Sequence, residues 1–254
     1  MPNLSKQQDI LAPDSFSLPP ASFHPLELER VLRSFDSLID KMSHDLNGPL
    51  ATISGLVQLA QMSDDVEEVR MHLSRIHQVS SKLSGLLGEL VELSSLHGSE
   101  SNPRMIDVAE SIEDAVAALS EWPEAKTTQL IVEATPCRVL LDGARLRSIV
   151  QHLVSNALLH HDSTKSEKWV KVIVEKEDDF LSIQVNDNGK GMSKAFLARA
   201  FDLFAKENPH SKGSGLGLFL ANKAIYTMGG SMEIDSVPGQ GTSISLRFPV
   251  QGYS

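Results

Sequence analysis

From Leu26 onward the apolar positions recur at three- and four-residue steps: Leu28, Val31, Leu32, Phe35, Leu38, Ile39, Met42, Leu46, Leu50, Ile53 and Val57. That period predicts one face of an amphipathic helix about 35 residues long. Ser63-Asp64-Asp65 interrupts it with helix-start chemistry. A second series, Val66, Val69, Leu73, Ile76, Val79, Leu83, Leu86, Leu90 and Leu93, predicts another long helix. Two such helices with a short connection make an antiparallel hairpin. A lone hairpin leaves its apolar stripe half wet, and pairing two buries it. A dimeric four-helix bundle is therefore expected, with a hairpin packed on the rest of its own chain as the alternative.

The stretch from His97 to Pro103 ends the second helix and reads as a linker. Beyond it the period changes repeatedly. Val108–Leu119, Ala144–Leu159, Phe196–Phe204 and Leu216–Met228 have helical spacing, whereas Trp169–Val174, Leu181–Val185, Met232–Asp235 and Thr242–Phe248 alternate like half-buried strands. Strands beside helices predict an α+β layer domain with one sheet covered by helices. No internal repeat is present.

Residues 1–25 contain five of the twelve prolines. Proline fixes φ and lacks a backbone donor, so a flexible leader is expected there. The expected division is thus 1–25 leader, 26–99 helical hairpin and 100–254 layered domain, consistent with one or two domains for 254 residues. Hydrophobic residues reach 41% but aromatics only 5%, which suits helical packing on Leu, Val and Ile. The net charge of −10 argues against nucleic acid as the main partner, because phosphate backbones are held by clustered Lys and Arg. Cys137 is the single cysteine, so no internal disulfide forms and a reducing, cytoplasmic location is expected. No apolar run approaches the roughly 18 residues of a membrane span, and the N-terminus lacks a secretory signal. Sensing across a membrane would then fall to a separate sensor protein or a missing segment.

Two glycine clusters carry the first candidate chemistry. Asp187-Asn188-Gly189-Lys190-Gly191 follows an expected strand. Missing Cβ atoms let the backbone approach a flat ligand, and the carboxylate of Asp187 can accept from the exocyclic amine of adenine. Read alone, the segment is also ordinary turn chemistry. Gly213-Ser214-Gly215-Leu216-Gly217-Leu218 immediately precedes an apolar helix, where backbone amides make an anion site. It is neither a Walker A loop nor a Rossmann fingerprint, since no Gly-Lys-Ser/Thr follows and no βαβ unit surrounds it. Asn156, inside a helix, offers a side-chain carbonyl to Mg²⁺, a cation that prefers hard oxygen ligands.

Far upstream lies Ser43-His44-Asp45-Leu46-Asn47-Gly48-Pro49-Leu50. In this order the segments resemble a two-component sensor histidine kinase of the HisKA type with a GHKL-type ATPase domain. Ser43–Leu50 is similar to the H-box and Leu146–His161 to the N-box. Asp187–Gly191, Gly213–Gly217 and Gly239–Thr242 are similar to the glycine boxes, and Phe201–Phe204 to the F-box. The resemblance implies a Bergerat-type α/β sandwich after the hairpin, ATP with Mg²⁺, a homodimer, and the receiver domain of a response regulator as phosphoryl acceptor. It implies nucleotide contacts at Asn156, His160, Asp187, Gly189, Gly191, Phe204, Lys206, Lys212, Gly213, Gly215, Leu216, Gly217 and Thr242, with Asn156 on the metal.

His44 would be the phosphorylated residue. At about 100° per residue it points roughly 200° from the core-facing Met42 and Leu46, so it projects out of the bundle. Neutral imidazole is the nucleophile, and Asp45 is the candidate to orient it and take its proton. Pro49 removes a helix hydrogen bond beside this turn, so a kink or loosening is expected. Gly48 stands where the family usually has Thr or Asn to position water, which predicts weak or absent phosphatase activity. Asn47 replaces a common Arg or Lys, His152 a common Asn and Leu159 a common Lys or Arg; His160 and His161 are candidate substitutes for the lost cation. The leading reading is a histidine autokinase. The alternatives are a phosphotransfer or scaffold protein of histidine-kinase descent with a weakened ATPase site, and a GHKL ATPase of another class.

Overall fold

The computed structural model describes residues 46–98, 101–177, 179–208, 211 and 213–250. His44, Asp45, Lys212 and the expected leader lie outside them. The chain divides into two units at Gly48/Pro49, and every element that begins after Gly48 belongs to the second unit.

Residues 46–62 are helical (α1), residues 63–65 are not, and α2 runs over Val66–Gly98. The break is built by its own side chains. Ser63 Oγ accepts from the amide of Asp65 at 3.1 Å, and Asp65 Oδ1 caps α2 by accepting from Glu67 N at 2.9 Å. Pro49 sits within α1; the carbonyl four residues before it belongs to Asp45, outside the described residues. Along the apolar stripe of α2, Val66 and Leu73 are exposed, Val69, Ile76, Val79, Leu83, Leu86 and Leu90 are half-buried, and Leu93 is buried near the end. The C-terminal part of α2 packs against α6 (Gly217–Thr227).

After α2 come β1 (Arg104–Asp107), α3 (Val108–Ala117), a short 3₁₀ turn at Ala125–Thr127, β2 (Gln129–Ala134), β3 (Arg138–Leu141) and α4 (Gly143–Leu159). They are followed by β4 (Trp169–Lys176), β5 (Phe180–Asp187), α5 (Lys194–Leu197), α6, β6 (Ser231–Val237) and β7 (Gly241–Pro249). β1 pairs antiparallel with β3, and the main sheet has the order β2-β4-β5-β7-β6 with only the β2–β4 pair parallel. Asp107 caps α3 and Asp142 caps α4, each accepting from the amide three residues on.

Alternation places the core. Val170, Val172 and Val174 of β4, Leu181, Ile183 and Val185 of β5, and Ile244, Leu246 and Phe248 of β7 are all buried on one face. The register sets them side by side, Val172 opposite Val185 and Val185 opposite Ile244. α4 lies between α3 and α6 over this face and buries Leu146, Ile149, Val150, Leu153 and Val154. The opposite face carries Ser182, Gln184, Ser243 and Ser245, so the result is one sheet covered by helices on one side.

The expected helix over Phe196–Phe204 is a correction. Helix stops at Leu197, and hydrogen bonds from Arg199 to Phe196, Asp202 to Arg199 and Ala205 to Asp202 close successive three-residue turns. Such turns preserve the apolar spacing that reads as helix, because Phe196, Ala200 and Phe204 still bury. Phe204 then takes a left-handed conformation, φ 60°, which no continuing helix allows. β1, β2 and β3 were not anticipated; β1 and β3 have four residues each, too few for a period to show.

Candidate functional site

The site grows from the ends of the core strands. Side chains alternate, so Asp187 falls on the same face as Leu181, Ile183 and Val185, and Thr242 on that of Ile244 and Leu246. The two are paired on the last rung of the β5–β7 ladder. A carboxylate in an apolar slot loses hydration, and burial pushes Asp187 up to about 6. The backbone amides of Gly189 and Thr242 and the charge of Lys165 oppose that rise; Gly189 N donates to Asp187 Oδ1 at 2.7 Å.

α4 forms the second wall. Beside its buried stripe run His152, Ser155, Asn156, Leu159 and His160, spaced three or four apart and facing the cavity. Burial, then the nearby Lys190, push His160 below the usual histidine range, against a smaller opposing effect of Glu207. His160 is therefore neutral at pH 7 and does not replace a cation. Among the described residues lining the cavity, Lys206 is the one Lys or Arg.

The third wall is the glycine-rich segment before α6. Gly215 adopts φ 80°, and a Cβ there would lie 2.7 Å from the carbonyl carbon of Phe204. Only glycine fits so close a crossing. The left-handed turn at Phe204 and the Gly215 loop thus fix each other. Ser214 Oγ accepts from Leu216 N at 3.0 Å, while α6 starts without a side-chain cap hydrogen bond. Its first-turn amides remain available to an anion. Gly191, φ 66°, meets the same requirement at the opposite end: a Cβ would fall 2.1 Å from the carbonyl oxygen of Val237.

These walls enclose about 100 Å³. Asn156, His160, Asp187, Gly191, Lys206, Gly213, Gly215, Gly217 and Thr242 all line this one cavity. Gly189, Phe204 and Leu216 are not lining residues; Phe204 and Leu216 are buried behind it and Gly189 packs on the carbonyl of His160. Sequence reasoning missed Ser214 as a side chain, the apolar floor of Met192, Phe196 and Ala200, and Glu89 of α2. Burial raises the Glu89 carboxyl, against the Ser214 hydrogen bond and the charge of His152, and its Oε2 has no hydrogen-bond partner. One turn on, Glu92 accepts from the Ser148 hydroxyl, and its Oε2 lies 2.8 Å from His152 Nε2. Burial would raise Glu92, but the hydrogen bonds and charge of His152 and the bond from Ser148 outweigh it and draw it down. Nothing in the local sequence of α2 signals these two contacts.

No group of three His, Cys, Asp or Glu suited to a metal occurs among the described residues. Asn156 provides a hard oxygen instead, which suits Mg²⁺ held chiefly by phosphate and water. No helix among the described residues is long and apolar enough to cross a membrane.

Residues 141–252 match the family described as histidine kinase-, DNA gyrase B- and HSP90-like ATPase, and residues 36–99 match the His Kinase A (phospho-acceptor) domain. Sensor histidine kinase GacS of Pseudomonas protegens is 29% identical over 239 residues, covering 88% of this chain and 25% of that protein. Sensor-like histidine kinase SenX3 of Mycolicibacterium smegmatis is 29% identical over 230 residues, covering 87% of this chain and 58% of that one. The chain thus spans a quarter of the first relative's length and a little over half of the second's. The solved histidine kinase AdeS of Acinetobacter baumannii superposes with a TM-score of 0.63 at 17% identity, covering 82% of this chain and 98% of that one. Full-length ShkA in complex with AMPPNP gives 0.62 at 18% identity, covering 85% of this chain and 46% of that one. At these identities the structural likeness establishes the fold.

Proposed function

Because the chain belongs to the histidine kinases, a phospho-acceptor segment followed by an ATPase domain, we propose that it binds ATP with Mg²⁺ in this cavity. It then phosphorylates its own His44 and passes the phosphoryl group to the receiver-domain aspartate of a response regulator. The observation that carries the reading is the convergence of a half-buried carboxylate, a helix N-terminus without a side-chain cap and Asn156 on one cavity.

Asp187, ionised at neutral pH, accepts from the exocyclic amine of adenine, with Thr242 beside it. The amides around Gly213, Gly215 and Gly217, the Ser214 hydroxyl and Lys206 take the phosphates, with Lys212 as a further candidate. Asn156 holds Mg²⁺, which when bound neutralises charge on the phosphate oxygens. A ring nitrogen of neutral His44 attacks the γ-phosphorus, the bond to the β–γ bridging oxygen of ADP breaks, and Asp45 takes the ring proton. The exposed apolar residues of α1 and α2 support a homodimer built on 26–99, with 100–254 as the catalytic part and 1–25 as leader. Gly48, with no side chain to position water, supports weak phosphatase activity. Lys206 as the one lining lysine among the described residues, and a neutral His160, favour one second reading, a phosphotransfer protein with a weakened ATPase site.

Incubation with γ-labelled ATP and Mg²⁺ should give acid-labile, alkali-stable label that is absent in His44→Ala. Label that survives His44→Ala rejects the assignment. ADP binding without any labelling selects the second reading. Rapid loss of label from a phosphorylated regulator on adding the protein would contradict the role given to Gly48.

A further inference from the structure

Between α4 and β4 the chain runs through a loop, 160–168, to which the ATP-binding reading gives no task beyond His160. Its conformation is well determined by its own side chains. Asp162 Oδ1 accepts from the amide of Thr164 at 3.0 Å and from its hydroxyl at 2.7 Å, and the amide of Lys165 closes on the Asp162 carbonyl at 3.3 Å. This turn delivers Lys165 to a particular place. Its Nζ donates to the carbonyl of Asn188 at 2.7 Å and reaches those of Gly189 at 3.5 Å and Gln240 at 3.4 Å.

An ammonium group has three donors and no acceptor, so three converging carbonyls match its capacity. The carbonyls come from the two loops that flank Asp187: 188–191, which follows it, and the β6–β7 turn, which precedes Thr242. Those loops are otherwise joined by Gly239 N donating to the Lys190 carbonyl at 2.7 Å. The side chain of Asn188 is stitched to the same region, accepting from Trp169 N at 3.0 Å and donating to the Glu167 carbonyl at 2.9 Å. Remove the ammonium and three carbonyl dipoles face one another with no cation between them.

We propose that Lys165 is a positioning residue for nucleotide binding: it ties the two loops beside Asp187 together and holds that carboxylate aimed at the base. This rests on the reading of the cavity as an adenine-nucleotide site. Electrostatics adds a distinguishing readout. Lys165 is the charge that favours ionised Asp187 against its burial. Of the other surroundings, α4 contributes the neutral His160, whereas β4 and β7 pair Asp187 with uncharged Val170 and Thr242. Without Lys165 the carboxylate protonates at higher pH.

The test is ADP binding by the full chain, by calorimetry from pH 5.5 to 8.5, for wild type, Lys165→Met, Lys165→Gln and Lys165→Arg. Inorganic tripolyphosphate serves as a probe of the phosphate end alone. Lys165→Met should weaken ADP about tenfold at pH 7.5 and move the acid limb of binding up by about half a pH unit or more. Lys165→Arg should restore both, and tripolyphosphate affinity should not change in any variant. If Lys165→Met does not fold, Lys165→Gln, which keeps donors but no charge, is read in the same way. An unmoved acid limb, or equal losses for ADP and tripolyphosphate, overturns the proposal and leaves a structural lysine. A wild-type chain that binds no ADP overturns the reading of the cavity itself, and the proposal with it.

Discussion

The sheet-and-helix half and the helix pair dispose of their apolar residues in opposite ways. In the former Val108, Ile112, Leu146, Ile149 and Leu220 are fully buried. In the latter Leu50, Val66 and Leu73 of the apolar series are 49%, 63% and 55% exposed. The first completes a core within one chain. The second carries an equally regular apolar period and leaves it only partly covered, which suits a surface that a second copy would complete. Regular spacing therefore predicts where apolar residues lie on a helix, and burial decides which chain covers them.

The sharpest contrast comes from truncating one leucine in each half. Leu220→Ala removes a fully buried side chain of α6 and should cost about 2–5 kcal/mol of unfolding free energy. Both tryptophans, Trp122 and Trp169, lie in the sheet-and-helix half, so their fluorescence in urea reports that core. Leu73→Ala, on the open face of α2, should leave the same transition within about 0.5 kcal/mol while lowering the dimer fraction in sedimentation. Equal losses from both changes would erase the distinction.

What could be read in advance follows from how local each cause is. Helices α3, α4 and α6 and strands β4 to β7 carry clear periods, and the period-two run Leu181, Ile183, Val185, Asp187 already sets a carboxylate on the core face. The Phe196–Phe204 segment misled because three-residue turns mimic a helical stripe. Lys165 and Glu89 were not legible as parts of this region, since their partners lie 23 and more residues away in sequence. Only the fold brings them together.

Asp187 links stability to binding within the buried half. Asp187→Asn keeps the shape but replaces the acceptor-only carboxylate, and should weaken ADP by about 10- to 100-fold, the value of one charge-assisted hydrogen bond. The same change should stabilise the apo protein at neutral pH. Burial sets the folded pKa near 6, above the ordinary 3.8, so the fold prefers the proton. The stability this group contributes is full below 3.8 and is lost as pH rises through about 6. Asn does not titrate, so the variant's advantage should grow across that window to the order of 2 kcal/mol. Melting temperatures of both proteins from pH 4 to 8 check it, and parallel curves would reject a desolvated carboxylate at this position.

The smallest effect is expected where the two regions touch. Glu92 of α2 accepts from Ser148 and meets His152, and Glu89, one turn earlier on the same helix, reaches into the cavity beside Ser214. Glu92→Gln keeps a hydrogen-bonding group but loses the charge. The pair is mostly buried, His152 14% and Glu92 25% exposed, but Gln can still bond to Ser148 and His152, so the loss should be about 1 kcal/mol. Hydrogen exchange in the last turns of α2 should quicken accordingly. Because Glu89 shares that turn, its carboxylate should withdraw from the phosphate end of the cavity and ADP should bind about two- to threefold tighter. Glu92 lies below the usual carboxylate range, so in the wild type this contact is present above pH 4.5 and is lost as pH falls through the lowered value. An α2 that exchanges as slowly in Glu92→Gln as in wild type would mean that buried Leu93, not the carboxylate, fastens the helix to its neighbour.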